Sequence, residues 1–167
     1  CINKICKLCS RNIMLVCYRT HNASNSKTVK IIINKYKNIF GTDRDTAEKM
    51  AELTKGYPFA FQVLGYLTWN HSGHYEVVID EYEQYLSEFV YDKIWSELSQ
   101  KDRIVARGIA ETESGKIKEI REHLGMETNE FNPYRKRLIK KGIVSGETRG
   151  YVFFTLPLFE RYVIDNS

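Results

Sequence analysis

The sequence lacks several features that mark particular classes of protein. It has only three prolines and no cysteine after Cys17, and its longest apolar runs fall far short of the roughly 20 residues that span a bilayer. No basic stretch followed by an apolar run and a cleavage site opens the chain, and residue 1 is Cys rather than Met. With no disulfide framework beyond residue 17, we expect a fragment of a bacterial or archaeal cytoplasmic protein with no membrane partner.

The chemistry of nucleotide hydrolysis is also missing from the sequence. There is no phosphate-binding loop of the form G-x-x-x-x-G-K-[ST] (Walker A), and no apolar strand ending in paired acids (Walker B) to hold magnesium. His71, His74 and His123 have no partner at the spacing of a catalytic triad or a metal site, so we expect them at the surface. The sequence therefore predicts a chain that is not an enzyme and has no cofactor of its own.

The four cysteines lie within the first 17 residues, where Cys6 and Cys9 form a lone C-x-x-C with only His21 nearby. Zinc sites of this kind use a second C-x-x-C or a pair of histidines. Free thiols are the favoured interpretation, and a metal site is the alternative. Residues 1–26 form an N-terminal segment whose structure the pattern leaves uncertain.

Residues 27–98 have the pattern of an α-helical bundle. Apolar residues recur at spacings of three and four in four successive segments, the first running from Thr28 to Phe40 and the second capped by Thr42 or Asp43. A third helix opens at Pro58 and is apolar nearly all round, which predicts the buried centre of the bundle. The fourth is predicted over residues 75–89, with residues 91–98 as a connector.

Residues 99–167 predict a winged helix-turn-helix domain. Ser99 and Asp102 have the spacing of a capping box that opens a first helix, whose inner face is predicted to contain Ile104, Val105, Gly108 and Ile109. A second helix covers residues 116–124, and a third stops at Gly142, with Asn132 as one possible N-cap and Pro133 at the first position. Residues 143–145 and 151–156 alternate like a β-hairpin, and residues 158–164 predict a terminal helix packed back on the domain. The fold class is therefore mainly α, a helical bundle followed by a winged helix with a short hairpin wing.

Several motifs, taken in order, resemble one family. The run Thr54 to Gly65 reads T-K-G-Y-P-F-A-F-Q-V-L-G. Gly before Pro is by itself only a turn between helices, but in this context it resembles the G-x-P motif in the lid of STAND-type ATPases and their origin-recognition-like relatives, within the AAA+ group. The residues Trp95 to Ser99 and Asn129 to Val144 resemble the tail of prokaryotic ATPases of this group. The resemblance covers roughly residues 27–165.

The resemblance implies that the chain is the non-catalytic C-terminal part of a P-loop ATPase, a lid for the nucleotide joined to a winged helix. Its partner would be the parent ATPase domain, which would bind ATP and Mg. Gly56, Tyr57 and Pro58 would then lie over the adenine, where a proline ring offers an apolar contact and glycine permits a close approach of the backbone. The sequence departs from lids with a sensor arginine, because Phe59 and its neighbours stand at that position.

The predicted recognition helix is rich in basic residues, and a further arginine lies at the predicted tip of the wing: Arg135, Lys136, Arg137, Lys140, Lys141 and Arg149. In a DNA-binding winged helix this helix enters the major groove, and a wing arginine reaches the backbone or the minor groove. Asn129 and Asn132 could contact adenine edges or serve as caps. A solvated charged face and docking on a protein partner remain alternatives. The alternative function is a free-standing winged-helix transcription regulator.

Overall fold

The structure is a computed structural model that describes residues 33–34, 37–38 and 43–166. Residues 33–34 and 37–38 are helical, but most of the predicted helix from Thr28 to Phe40 lies outside the described residues. The segment 1–26, with the four cysteines, also lies outside them. The described chain is mainly helical with a two-stranded antiparallel hairpin, as predicted. Within the described ranges, no helix combines the length and the apolar character needed to cross a bilayer.

The elements follow one another in a simple order. The helices are α1 (Arg44–Leu53), α2 (Pro58–Asn70), a 3₁₀ turn (Tyr75–Val78), α3 (Ile79–Leu86), a π-helical turn (Ser87–Tyr91), α4 (Asp92–Ser96), α5 (Gln100–Glu111), α6 (Ile117–Leu124), α7 (Thr128–Lys140) and α8 (Phe159–Asp165). Strands β1 (Val144–Ser145) and β2 (Phe153–Phe154) lie between α7 and α8 and pair Val144 with Phe154 and Ser145 with Phe153. The chain divides into two compact units, Cys1–Leu86 and Ser87–Ser167.

Among the described helices of the first unit, α2 is the most buried. Helix α1 begins after Asp43, whose side chain accepts a hydrogen bond from the Thr46 backbone N–H at 3.0 Å. Helix α2 buries most of its length, as its apolar sequence predicts, although Trp69 near its end is 55% exposed. The fully buried Tyr82 of α3 donates its hydroxyl to the Leu53 carbonyl at the end of α1. Tyr82 therefore ties α3 to the last turn of α1, whose carbonyls have no partner within the helix.

The boundary between the units lies between Leu86 and Ser87, whereas the sequence pattern places it between residues 98 and 99. The difference arises from Tyr91, which the sequence assigns to a connector. Its ring is buried and lies edge-to-face against the Phe159 ring, with 4.9 Å between the ring centres. Its hydroxyl donates a hydrogen bond to the Pro157 carbonyl. An aromatic ring of this size buried against α8 adds residues 87–98 to the second unit.

The second unit is built around α5. The predicted capping box is confirmed, because the Ser99 side chain accepts from the Asp102 backbone N–H while the Asp102 side chain accepts from the Ser99 N–H. Helix α5 buries Val105, Ala106, Gly108 and Ile109, but Ile104 is 43% exposed, so its predicted place on the inner face is wrong. The terminal helix α8 packs back on the unit, as predicted, through the buried Phe159 and Val163.

The hairpin has a third, very short edge. The residue before α6, Lys116, forms an antiparallel bridge with Tyr151. Two backbone hydrogen bonds of 2.9 Å flank this bridge, from Ile117 to the Gly150 carbonyl and from Val152 to the Gly115 carbonyl. The segment between α5 and α6 therefore joins the hairpin as an additional edge, which the sequence pattern does not indicate.

Helix α7 begins earlier than the sequence suggests. Its N-cap is Glu127 and Pro133 lies inside it, so the predicted start with Asn132 as cap is wrong. The added turn contains Phe131, which is fully buried, and burial of this ring favours a helix that begins before it. This helix loses one hydrogen bond, because Pro133 has no backbone N–H. The carbonyl of the exposed Asn129 therefore lacks its usual intrahelical donor. The predicted stop at Gly142 is confirmed by its φ of 70°.

Candidate nucleic-acid interface

Helix α7 has a buried side and an outward side. Phe131 and Leu138, seven residues apart, are fully buried. The opposite side presents residues at spacings of four, three and four, all of them exposed, which we name the outward ridge: Asn129, Pro133, Lys136 and Lys140. Residues at these spacings lie above one another on one helical face. The outward ridge is therefore the surface that α7 offers to a partner.

Two cations of the predicted basic set lie on this ridge. Of two more, one follows the last ridge residue in sequence and the other lies in the hairpin turn. Lys136 and Lys140 are ridge residues, Lys141 is the C-cap of α7, and Arg149 lies in the turn before β2. All four are exposed, and among the described residues none of them has a carboxylate within 4.0 Å. These four cations, which we name the unpaired set, are both exposed and free of ion pairs with the described residues, so they can meet an external anion without first breaking a salt bridge.

Arg137 is turned away from the ridge towards α5. Its Nε lies 3.3 Å from Oδ1 of Asp102, whose side chain is only 2% exposed. Its guanidinium carbon lies 5.2 Å from the centre of the Tyr134 ring. The side chain that the sequence assigns to DNA contact is thus held by an ion pair and a cation–π contact inside the second unit.

Arg135 also points elsewhere. It is half-buried, and its Nη2 lies so close to Gly146, at the start of the hairpin turn, that a Cβ added there would come within 2.8 Å of it. Its Nε is buried and has no hydrogen-bond partner among the described residues. Arg135 therefore packs between α7 and the hairpin and does not belong to the outward ridge.

The two asparagines occupy different places. Asn129 is exposed on the ridge in the first turn of α7, and its Oδ1 accepts from the Glu130 backbone N–H at 3.1 Å. Asn132 is half-buried on the flank of the helix and caps nothing, because α7 begins before it. Of the two, only Asn129 shares the ridge with the unpaired lysines.

The start of α7 is acidic, but its acids are partly paired. Glu130 lies 3.7 Å from Lys101, and Glu127 lies 3.6 Å from Arg121. Acids at the beginning of a helix and bases at its end both match the helix dipole. The charge along α7 therefore changes from near-neutral pairs at its start to unpaired cations at its end.

One cation at the edge of the hairpin, Lys116, is already held in an ion pair. Lys116 lies 2.9 Å from Glu119, and their hydrogen bond raises the pKa of the lysine. The pKa of Glu119 is lowered, first by its hydrogen bond from Ser114 and then by Lys116. Lys116 is consequently committed to its neighbour, unlike the unpaired set.

In the first unit, the residues of the Gly-x-Pro motif form a tight turn between α1 and α2. Lys55 and Gly56 have left-handed backbone angles, with φ of 44° and 72°, and the Tyr57 N–H bonds to the Thr54 carbonyl at 2.7 Å. Pro58 is the first residue of α2, as predicted. Gly56 is buried, while Tyr57 and Pro58 are half-buried, and burial raises the pKa of the Tyr57 phenol. A left-handed φ explains the need for glycine at this turn.

His71, His74 and His123 are exposed, as predicted. His123 nevertheless has a neighbour, because its Nε2 lies 2.8 Å from Oε2 of Glu111, which also pairs with Arg107. Within the described part of the chain no group of three or more His, Cys, Asp or Glu residues could hold a metal ion. The predicted free thiols and their metal-site alternative lie outside that part.

Sequence reasoning missed two features of this surface. The outward ridge follows from helical spacing once α7 is known to begin at Thr128. The sequence pattern did not predict that start, because Pro133 indicated a helix that begins later. The role of Asp102 was missed because its sequence context indicates only a cap. A buried acid that also holds a cation on another helix requires a contact 35 residues along the chain, which no local pattern contains.

One family model matches the chain. It is described as a domain of unknown function (DUF8462), and it matches residues 88–163. No curated protein and no solved structure matches the chain. The matched residues nearly coincide with the second compact unit, including the π-helical turn and α4.

Proposed function

We propose that the second unit is a winged helix that binds double-stranded DNA through the outward ridge of α7 and the hairpin turn. The order α5, α6, α7 and hairpin agrees with this fold, and the bridge between Lys116 and Tyr151 joins the start of α6 to the hairpin. The observation that carries the proposal is the pair of exposed, unpaired lysines on the ridge, Lys136 and Lys140.

The same proposal gives the first unit the role of a nucleotide lid. The left-handed Gly56 and the proline that opens α2 agree with the G-x-P turn of AAA+ and STAND-type ATPases. In this role the chain is a non-catalytic cytoplasmic tail, and ATP and Mg are bound by the parent ATPase domain. Tyr57 and Pro58, both half-buried, would cover the base.

The unpaired set fixes the expected salt dependence. Each phosphate contact contributes about 0.9 to the slope of log K against log salt concentration, so four contacts give a slope of about −3.6. Affinity for a duplex should then fall roughly 150-fold between 50 and 200 mM salt. This value is the quantitative form of the proposal.

The experiment measures fluorescence anisotropy of a duplex of about 20 base pairs titrated with the protein across this salt range. Changing both ridge lysines, Lys136→Gln with Lys140→Gln, should weaken binding and reduce the magnitude of the slope by about 1.8. The matched control is Lys93→Gln, an exposed lysine on α4, which should change neither quantity. Absence of duplex binding at 50 mM salt, or an unchanged slope in the double variant, contradicts DNA binding.

Docking on a protein is the second candidate, favoured by the acids at the start of α7. Recognition helices usually meet the bases with their first turns, and here those turns contain Glu127 and Glu130. A basic surface on the parent ATPase domain would complement them. Under this alternative, Glu127→Gln with Glu130→Gln weakens association with that domain, and no variant of the ridge lysines alters binding to DNA.

A further inference from the structure

Asp102 contacts two different structures with its two carboxylate oxygens. Oδ2 serves the start of α5, where it accepts from Ser99 Oγ at 2.6 Å and from the Ser99 N–H at 3.3 Å. Oδ1 faces Arg137 of α7 at 3.3 Å and accepts no hydrogen bond from the described residues. The contact with Arg137 is therefore an ion pair without hydrogen-bond geometry. A single buried carboxylate thus joins the cap of α5 to the last turn of α7.

The other face of this contact is aromatic. Tyr134, one turn before Arg137, has the guanidinium 5.2 Å from its ring centre and the Lys101 ammonium 5.9 Å away. Lys101, on the first turn of α5, also lies 3.7 Å from Glu130 of α7. Both helices therefore contribute cations to one aromatic ring beside the buried carboxylate. We name this cluster of five residues the α5–α7 lock: Lys101, Asp102, Glu130, Tyr134 and Arg137.

We infer that Arg137 is a positioning residue that sets the rotation of α7, and that it does not contact DNA. An α-helix turns by about 100° per residue, so holding Arg137 against α5 leaves its neighbour Lys136 on the outward ridge. The buried state of Asp102 makes the lock specific, because a carboxylate with 2% exposure needs a cation close to it. The inference rests on the proposed DNA binding for its functional meaning, whereas the lock itself does not depend on it.

The lock is tested by thermal unfolding of Arg137→Gln, Asp102→Asn and the double variant. Each single change should lower Tm by about 4–8 °C, and the double variant should lose clearly less than the sum of the two. The matched control is Arg107→Gln, because Arg107 lies 2.8 Å from Glu111 in an exposed pair. Its Tm should fall by less than about 3 °C, as for surface ion pairs.

Positioning is separated from phosphate contact by the salt dependence of duplex binding. Arg137→Gln should lower affinity about tenfold while leaving the slope unchanged, and Arg137→Lys, which keeps the charge beside Asp102, should recover most of that loss. A slope reduced by about 0.9 in Arg137→Gln would assign the arginine to a phosphate and overturn the inference. Additive Tm losses in the double variant would overturn it as well.

The two proposals fail in distinguishable ways. Wild-type protein that does not bind a duplex contradicts the proposed function, and the unfolding cycle then still decides whether Arg137 and Asp102 are coupled. If Asp102→Asn does not fold, the comparison of Arg137→Gln with Arg137→Lys tests the same pair from its exposed side. Equal Tm values for these two variants would refute the lock.

Discussion

Substitution of Gly115 by alanine tests the short edge that joins the segment before α6 to the hairpin. Gly115 has φ of 64°, and a Cβ there would lie 2.3 Å from Cε1 of Phe153, so the ring must move. The left-handed backbone costs about 1–2 kcal/mol for alanine. Moving Phe153 off Tyr151, with which it stacks at 6.0 Å, adds about 1 kcal/mol. We expect a loss of about 2–3 kcal/mol in the free energy of unfolding.

The assay is urea unfolding followed by the fluorescence of Trp95, in a Trp69→Phe background so that the signal reports the second unit. Gly125→Ala is the matched control, because Gly125 has φ of 63° and no atom within 4 Å of an added Cβ. It should cost only the backbone strain, about 1–2 kcal/mol, without the further cost of moving a ring. If Gly115→Ala costs no more than Gly125→Ala, or if the excess cost persists when Phe153 is also changed to alanine, the described packing of this edge is wrong.

Three further predictions concern stability. Pro133→Ala should raise the free energy of unfolding by about 1–3 kcal/mol, because it restores an N–H inside α7; an unchanged urea midpoint would contradict this. Tyr91→Phe should lower it by about 1–2 kcal/mol, since the buried Pro157 carbonyl loses its donor, and an unaltered calorimetric Tm would show that the bond contributes nothing. A hydrogen bond from Arg107 lowers the pKa of Glu111, so its stabilisation is present above the unfolded pKa and lost as the pH falls from about 5 to 3. Arg107→Gln should therefore flatten the decrease of Tm over that range.

The ends of several helices could be predicted because their signals are local. Asp43 and Ser99 accept hydrogen bonds from backbone groups three residues away, so the cap and the helix it begins are contained in one short segment. Pro58 and Gly142 likewise act through their own backbone angles at the start of α2 and after the end of α7. Such signals need no knowledge of the rest of the fold.

The division into units could not be predicted in this way. Residues 91–98 have a helical pattern whichever unit they join, and their assignment depends on contacts distant in sequence. The Tyr91 hydroxyl bonds to a carbonyl 66 residues later, and the Tyr162 hydroxyl bonds to Asp92 at 2.7 Å across 70 residues. The predicted start of α7 was wrong for a related reason. Proline is a local signal, whereas the burial of Phe131, which outweighs it, is a tertiary effect.

The basic set of α7 shows why the number of cations in a sequence overstates an interface. Successive residues of a helix are rotated by about 100°, so Arg135 and Arg137 cannot share the face of Lys136. One arginine packs beside Gly146 and the other beside Asp102. The six cations predicted from the sequence would give a salt slope of about −5.4, whereas the unpaired set gives about −3.6. A measured slope near −5 would mean that both arginines leave their present contacts to reach phosphates, and the division of the basic set into binding and positioning residues would then be wrong.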